Sequence, residues 1–134
     1  IRLIEAQFHG TFCATGPGFN LSMKEFLRQC KNESGSKAEI IWVADDQLES
    51  AGVVPWSELP LWIPESDTNY IGFMQMDCSK AQNKGLSFRT VAETISDVLQ
   101  WDATRDPAIE LKAGMSPDRE QELLSEFATD QFAS

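Results

Sequence analysis

A chain of 134 residues with ordinary apolar and charged fractions fits one domain with a real core, and is short for a complete cofactor enzyme. Its formal charge of −10 argues against nucleic acid, whose phosphates require clustered Lys and Arg, and against an acidic membrane surface. There is no run long enough for a membrane span and no signal peptide; Cys13, Cys30 and Cys78 make no disulfide or metal pattern, which points to a reducing cytoplasm, and His9 alone cannot form a metal site.

The chain begins at Ile1 with what reads as the last turns of a helix, residues 1–9, whose start lies outside the segment; Gly10 suits its stop. Thr11–Thr15 is a short β-leaning run closed by Gly16-Pro17-Gly18. That triplet is a turn and not a dinucleotide fingerprint, because Pro17 removes an N–H group that a phosphate needs. Ser22 and Glu25 have capping-box spacing and open a helix with Met23, Phe26, Leu27 and Cys30 on one face, ended by Gly35. Ala38–Val43 reads as a strand with both faces covered, since Ile40, Ile41, Trp42 and Val43 run without a polar break. Strand, helix, strand in this order predicts a right-handed βαβ unit. Asp45 or Asp46 opens a short helix that Gly52 closes.

Residues 52–69 are unusual. Pro55-Trp56-Ser57-Glu58-Leu59-Pro60-Leu61-Trp62-Ile63-Pro64 holds three prolines and two tryptophans, so it is neither helix interior nor central strand, yet it is more apolar than most loops. Burying one such ring is worth at most roughly 4–6 kcal/mol at about 25 cal/mol/Å². The rings either line a binding pocket or pack the loop onto its own domain, and the sequence leaves both open. Tyr70–Met76 then reads as a short strand. Ser79–Lys84 forms a brief helix with Ser79 and Gln82 at box spacing, and Thr90 with Glu93 opens a helix through Trp101. Ser116 caps a last helix with Pro117 at its first position and Leu123, Leu124 and Phe127 as its apolar contribution. Residues 128–134 have little to hold them. The expected architecture is a mixed α/β lobe, three-layer-like, with a short, partly parallel sheet and about five helices, lacking a Rossmann domain.

Chemistry is sparse. There is no GxSxG elbow, no HExxH, no Cys with a His partner, and Tyr70 lacks a lysine four residues on. Adjacent acids such as Asp45 with Asp46 suit helix starts better than acid–base catalysis.

Several segments in order resemble the C-terminal part of extended short-chain dehydrogenases/reductases, the NAD-dependent epimerase/dehydratase family. They are Gly10-Thr11-Phe12-Cys13-Ala14-Thr15-Gly16 with the helix from Ser22, Asp77-Cys78-Ser79-Lys80-Ala81, Lys84–Arg89, and Thr90–Trp101. The proline–tryptophan loop and Ala113-Gly114-Met115-Ser116-Pro117 look like a bacterial, isoflavone-reductase-like oxidoreductase subgroup of it. Cys13 stands where that family usually has Asn, and the family's glycine-rich cofactor loop and catalytic Tyr and Lys lie upstream of anything in this chain.

The resemblance implies a substrate-binding domain, residues 1–134, of an NAD(P)-dependent reductase or epimerase. NAD or NADP would sit in a missing N-terminal Rossmann domain, which this lobe would close over. Within that reading Trp56, Trp62, Ile63 and Tyr70 shape a small-molecule pocket, while Ser57 and Glu58 supply hydrogen bonds. No catalytic, cofactor-binding or metal-binding residue falls in the chain itself, and apolar surface at the absent interface could pair two copies. The alternative is a stand-alone binding or interaction module that keeps the scaffold without catalysis.

Overall fold

In the computed structural model, which describes residues 2–109 and 111–131, six α-helices form among the described residues. They are α1 (Arg2–Glu5), α2 (Met23–Ser34), α3 (Asp45–Ser50), α4 (Ser79–Gln82), α5 (Val91–Asp102) and α6 (Pro117–Gln131), with a 3₁₀ turn at Thr68–Tyr70. The expected α/β lobe does not form. Among the described residues there is no sheet, only an isolated parallel bridge between Pro55 and Leu59, so the predicted βαβ unit is absent as well.

Each predicted strand fails for a local reason. A strand is stable only when a neighbouring edge takes its backbone hydrogen bonds. Thr11–Thr15 instead spends carbonyls on side chains: Lys80 Nζ donates to Thr11 O at 2.7 Å, and the Cys78 thiol donates to Thr15 O at 2.9 Å. In Tyr70–Met76, Gly72 sits at φ 77°, and the Gln75 amide turns back to its carbonyl at 2.9 Å, which makes a turn. Ala38–Val43 runs without helix, turn or bend, but no backbone hydrogen bond pairs it with another segment among the described residues.

The helix ends follow their predicted capping chemistry more closely. The Glu25 amide donates to Ser22 Oγ at 3.2 Å, and Gly35 stops α2 at φ 63°. Only half of that box forms, because the Glu25 carboxylate is held by Arg28, at 2.6 Å and 2.9 Å, in a forked pair. At α5 the box is complete: the Thr90 amide and hydroxyl donate to Glu93 Oε2 at 2.8 and 2.7 Å, and the Glu93 amide returns to Thr90 Oγ1 at 3.2 Å. At α4 the Ser79–Gln82 box does not form. The Asp77 carboxylate caps Ser79 instead, and Gln82 Nε2 donates to Gly18 O. The first helix closes at Gln7, φ 53°, before the expected Gly10; residue 1 of that expected helix lies outside the described residues. Of the expected loose tail 128–134, helix α6 continues through Gln131, and 132–134 lie outside the described residues.

Two compact units make up the chain: Ile1–Glu39 with Gly72–Asp106, and Ile40–Ile71 with Pro107–Ser134. In the first, α2 packs on α5, with Cys78, Ala81 and Ile95 buried. Lys80 and Lys84, one turn apart on and just after α4, each lie 4.5 Å over a ring, Phe12 and Phe8 respectively, and so tie residues 8–12 to that helix. In the second, Leu48, Val53, Leu123 and Phe127 form the core, and Val43, Leu59, Trp62 and Met115 pack around it. Leu124, the third apolar residue of α6, is exposed.

Candidate functional site: the proline–tryptophan loop

The loop at 52–69 belongs wholly to the second unit and is fixed at both ends, since Val53 and Pro64 are buried. Its first half is a tight hairpin-like turn. The Glu58 amide donates to Val54 O at 3.0 Å, and the Val54 amide donates to Glu58 Oε2 at 2.8 Å. Helix α6 clamps that turn through Arg119. Its guanidinium donates to Ala51 O at 2.6 Å and to Glu122 at 2.8 Å, and lies 3.7 Å from Glu58 Oε1. The Glu122 hydrogen bond, followed by nearby carboxylates, raises the Arg119 pKa further above its already high value. A second tie runs from the Gly114 amide to Ser57 O at 2.7 Å.

Asp45, the first residue of α3, fixes the second half. Its Oδ1 accepts from Trp62 Nε1 at 2.9 Å and its Oδ2 accepts from the Glu65 amide at 2.8 Å. Ser66 Oγ adds a bond to Glu49 at 2.8 Å. One carboxylate therefore satisfies a half-buried indole and a loop amide together, which lets Trp62 pack on the core without an orphaned donor.

The six residues expected to shape a pocket thus have different surroundings. Trp62 packs on the core and is hydrogen-bonded to α3; Ile63 is half-buried beside it in sequence. Glu58 spends its carboxylate within the loop and on Arg119. Ser57 is exposed, with its backbone engaged on both sides. Trp56 and Tyr70 are exposed, at 39% and 42%. Trp56 has φ 63° and Leu61 φ 69°, a conformation that side chains with a Cβ rarely adopt. Such strain costs on the order of 1–3 kcal/mol per residue and persists only where the surroundings enforce it, as Arg119, Glu58 and Asp45 do here. A recess of about 470 Å³ in this unit is lined by Val43, Ala44, Asp45, Asp46, Glu49, Glu65 and Ser66, and includes none of the six.

Sequence reasoning missed Asp45 as an anchor and Arg119 as a clamp. Asp45 reads as a helix opener, which it is; its partners stand 17 and 20 residues away, with no periodic signal linking them. Gly16 and Gly18 do not open onto free space: a Cβ at Gly16 would lie 2.9 Å from the Phe88 ring, and one at Gly18 would meet Gln82. Among the described residues no group of three His, Cys, Asp or Glu could hold a metal ion, and no helix is long and apolar enough to cross a membrane. Comparison with family models, curated proteins and solved structures gives no match for this chain.

Proposed function

We propose that this chain forms the substrate-facing part of an NAD(P)-dependent reductase or epimerase of the extended short-chain dehydrogenase/reductase kind, with the cofactor held by a separate nucleotide-binding domain. Trp56 carries the reading. The residue is 39% exposed although its backbone is strained, and the loop around it is braced by Arg119, Glu58 and the Gly114–Ser57 bond. A stability role alone would favour a relaxed backbone and a buried ring; a braced, exposed aromatic instead suits contact with a ligand. The order of the Gly10–Gly16, Asp77–Ala81, Lys84–Arg89 and Thr90–Trp101 segments supplies the reaction class. In this reading Trp56 and Tyr70 present apolar walls, Ser57 offers its hydroxyl, and Trp62, Ile63 and Glu58 hold the loop in place.

The test is NAD(P)H oxidation, and NAD(P)⁺ reduction, by the complete encoded polypeptide against panels of carbonyl compounds, alcohols and nucleotide sugars. Turnover that falls at least about tenfold in kcat/KM in Trp56→Ala supports the reading. No turnover and no binding of either nicotinamide cofactor by the complete polypeptide overturns it.

A further inference from the structure

The two units divide the chain's charge unequally. The first holds nine acidic and nine basic residues and is formally neutral. The second holds twelve acidic residues against Lys112 and Arg119, so the whole formal charge of −10 resides in it. Between Lys37 and Lys80 the sequence has no Lys, Arg or His, and the proline–tryptophan loop lies inside that interval. Arg119 reaches the loop but is engaged there, donating to Ala51 O and to Glu122 and lying 3.7 Å from Glu58. Lys112 is exposed, two residues before the Gly114 that bonds Ser57. Glu65 and Ser66, in the second half of the loop, help to line the recess that bears Asp45, Asp46 and Glu49 and has no basic side chain in its lining. In the first half of the loop and just after it, Val54, Trp56 and Leu61 are 49%, 39% and 45% exposed.

We infer that the ligand received at the Trp56 loop is a small organic cation, an ammonium-bearing carbonyl compound or alcohol, an inference that rests on the function proposed above. A protein holds a phosphate or carboxylate with Arg or Lys, or with the positive end of a helix. The loop's own arginine already serves carboxylates and a carbonyl. The helix starts of this unit do not replace it, because Asp45 and Asp46 occupy the first turn of α3, and Asp118 and Glu120 that of α6. Lys112 alone does not reverse the sign of a field set by twelve carboxylates. That field repels an anion and draws in a cation, while Val54, Trp56 and Leu61 give the uncharged part of the ligand its apolar contact. Nucleotide sugars and other phosphorylated compounds are therefore excluded as ligands of this loop. The dinucleotide cofactor, itself anionic, belongs to the separate domain.

The test is NMR titration of the complete polypeptide with three probes that share one ring: benzylammonium, benzyl alcohol and benzoate. Benzylammonium is expected to shift the amides of residues 54–62 saturably, with a Kd at least about tenfold below that of benzyl alcohol at about 20 mM salt, and benzoate is expected not to bind. Screening should cut that advantage to about threefold or less at about 500 mM salt. Glu65→Lys, which keeps the Glu65 amide on Asp45, should weaken benzylammonium at least about threefold and leave benzyl alcohol unchanged. Equal or tighter binding of benzyl alcohol or benzoate overturns the inference, and loss of benzoate binding in Lys112→Gln would name the anion's anchor. Shifts by benzylammonium that spread over the acidic residues without saturating, and that Trp56→Ala leaves unchanged, also overturn it. NAD(P)-linked turnover confined to neutral or anionic substrates removes the cationic class and leaves the proposed function standing. Saturable ammonium preference at residues 54–62, in a polypeptide that binds neither nicotinamide cofactor, keeps the ligand class and removes the proposed function.

Discussion

Replacing Trp62 separates packing from ligand contact in the loop. The indole is mostly buried against Leu48, Val53, Leu123 and Phe127, and its Nε1 is bonded to Asp45 at 2.9 Å. Removing about 150 Å² of apolar contact at about 25 cal/mol/Å² gives roughly 4 kcal/mol, which residual burial in the unfolded chain lowers to about 2–3 kcal/mol. Losing the hydrogen bond adds about 1 kcal/mol, because Asp45 Oδ1 is left facing the cavity. Trp62→Ala is therefore expected to destabilise the second unit by about 3–4 kcal/mol and to lower its melting temperature by about 10 °C or more, read by thermal and urea denaturation. Trp62→Phe keeps most of the packing and should cost about 1–1.5 kcal/mol. Combined with Asp45→Ala in a double-mutant cycle, it should show a coupling of about 1 kcal/mol. A Trp62→Ala protein whose melting temperature moves by less than about 2 °C would refute the packing assignment and return Trp62 to the ligand surface.

Other consequences are equally direct. Thr90→Ala removes the side-chain half of the α5 box, leaving the Thr90 amide on Glu93, and should cost about 1 kcal/mol, with weakened helical signal in residues 91–94 by NMR chemical shifts. Gly16→Ala forces a Cβ to within 2.9 Å of the Phe88 ring and should cost about 1–3 kcal/mol in denaturant melts, and Phe88→Leu should recover part of that loss. The Glu93 carboxyl is held below its usual range by the Thr90 hydroxyl and amide, and Asp77 by the Ser79 amide and hydroxyl. A carboxylate whose folded-state pKa is depressed stabilises above its unfolded pKa, about 4, and loses that contribution as pH falls through the folded value. Helicity of the first unit should thus hold from neutral pH to about pH 4 and decline below it, and Glu93→Gln should flatten that decline in pH-dependent circular dichroism.

Helix positions were legible because their determinants are local. Ser22 before Glu25, Thr90 before Glu93, Ser116 before Pro117 and Gly35 after Ser34 act within one turn, and the structure uses each of them. Where a nearby competitor exists, the outcome differs: Arg28 draws the Glu25 carboxylate forward instead of back to Ser22. Strands were not legible, because β-leaning composition at Thr11–Thr15 and Ile40–Val43 says nothing about whether an edge is there to receive them. The loop's identity as a special segment was plain from its prolines and tryptophans. Its bracing was not, since Asp45 with Trp62 and Arg119 with Ala51 join residues 17 and 68 positions apart.

Steady-state kinetics and melting of Trp56→Ala in the complete polypeptide test the central claim most directly. We expect kcat/KM with NAD(P)H and the preferred substrate to fall at least about tenfold under conditions where the variant is fully folded. Unchanged kinetics with a melting temperature lowered by about 5 °C or more would contradict it and make Trp56 a packing residue.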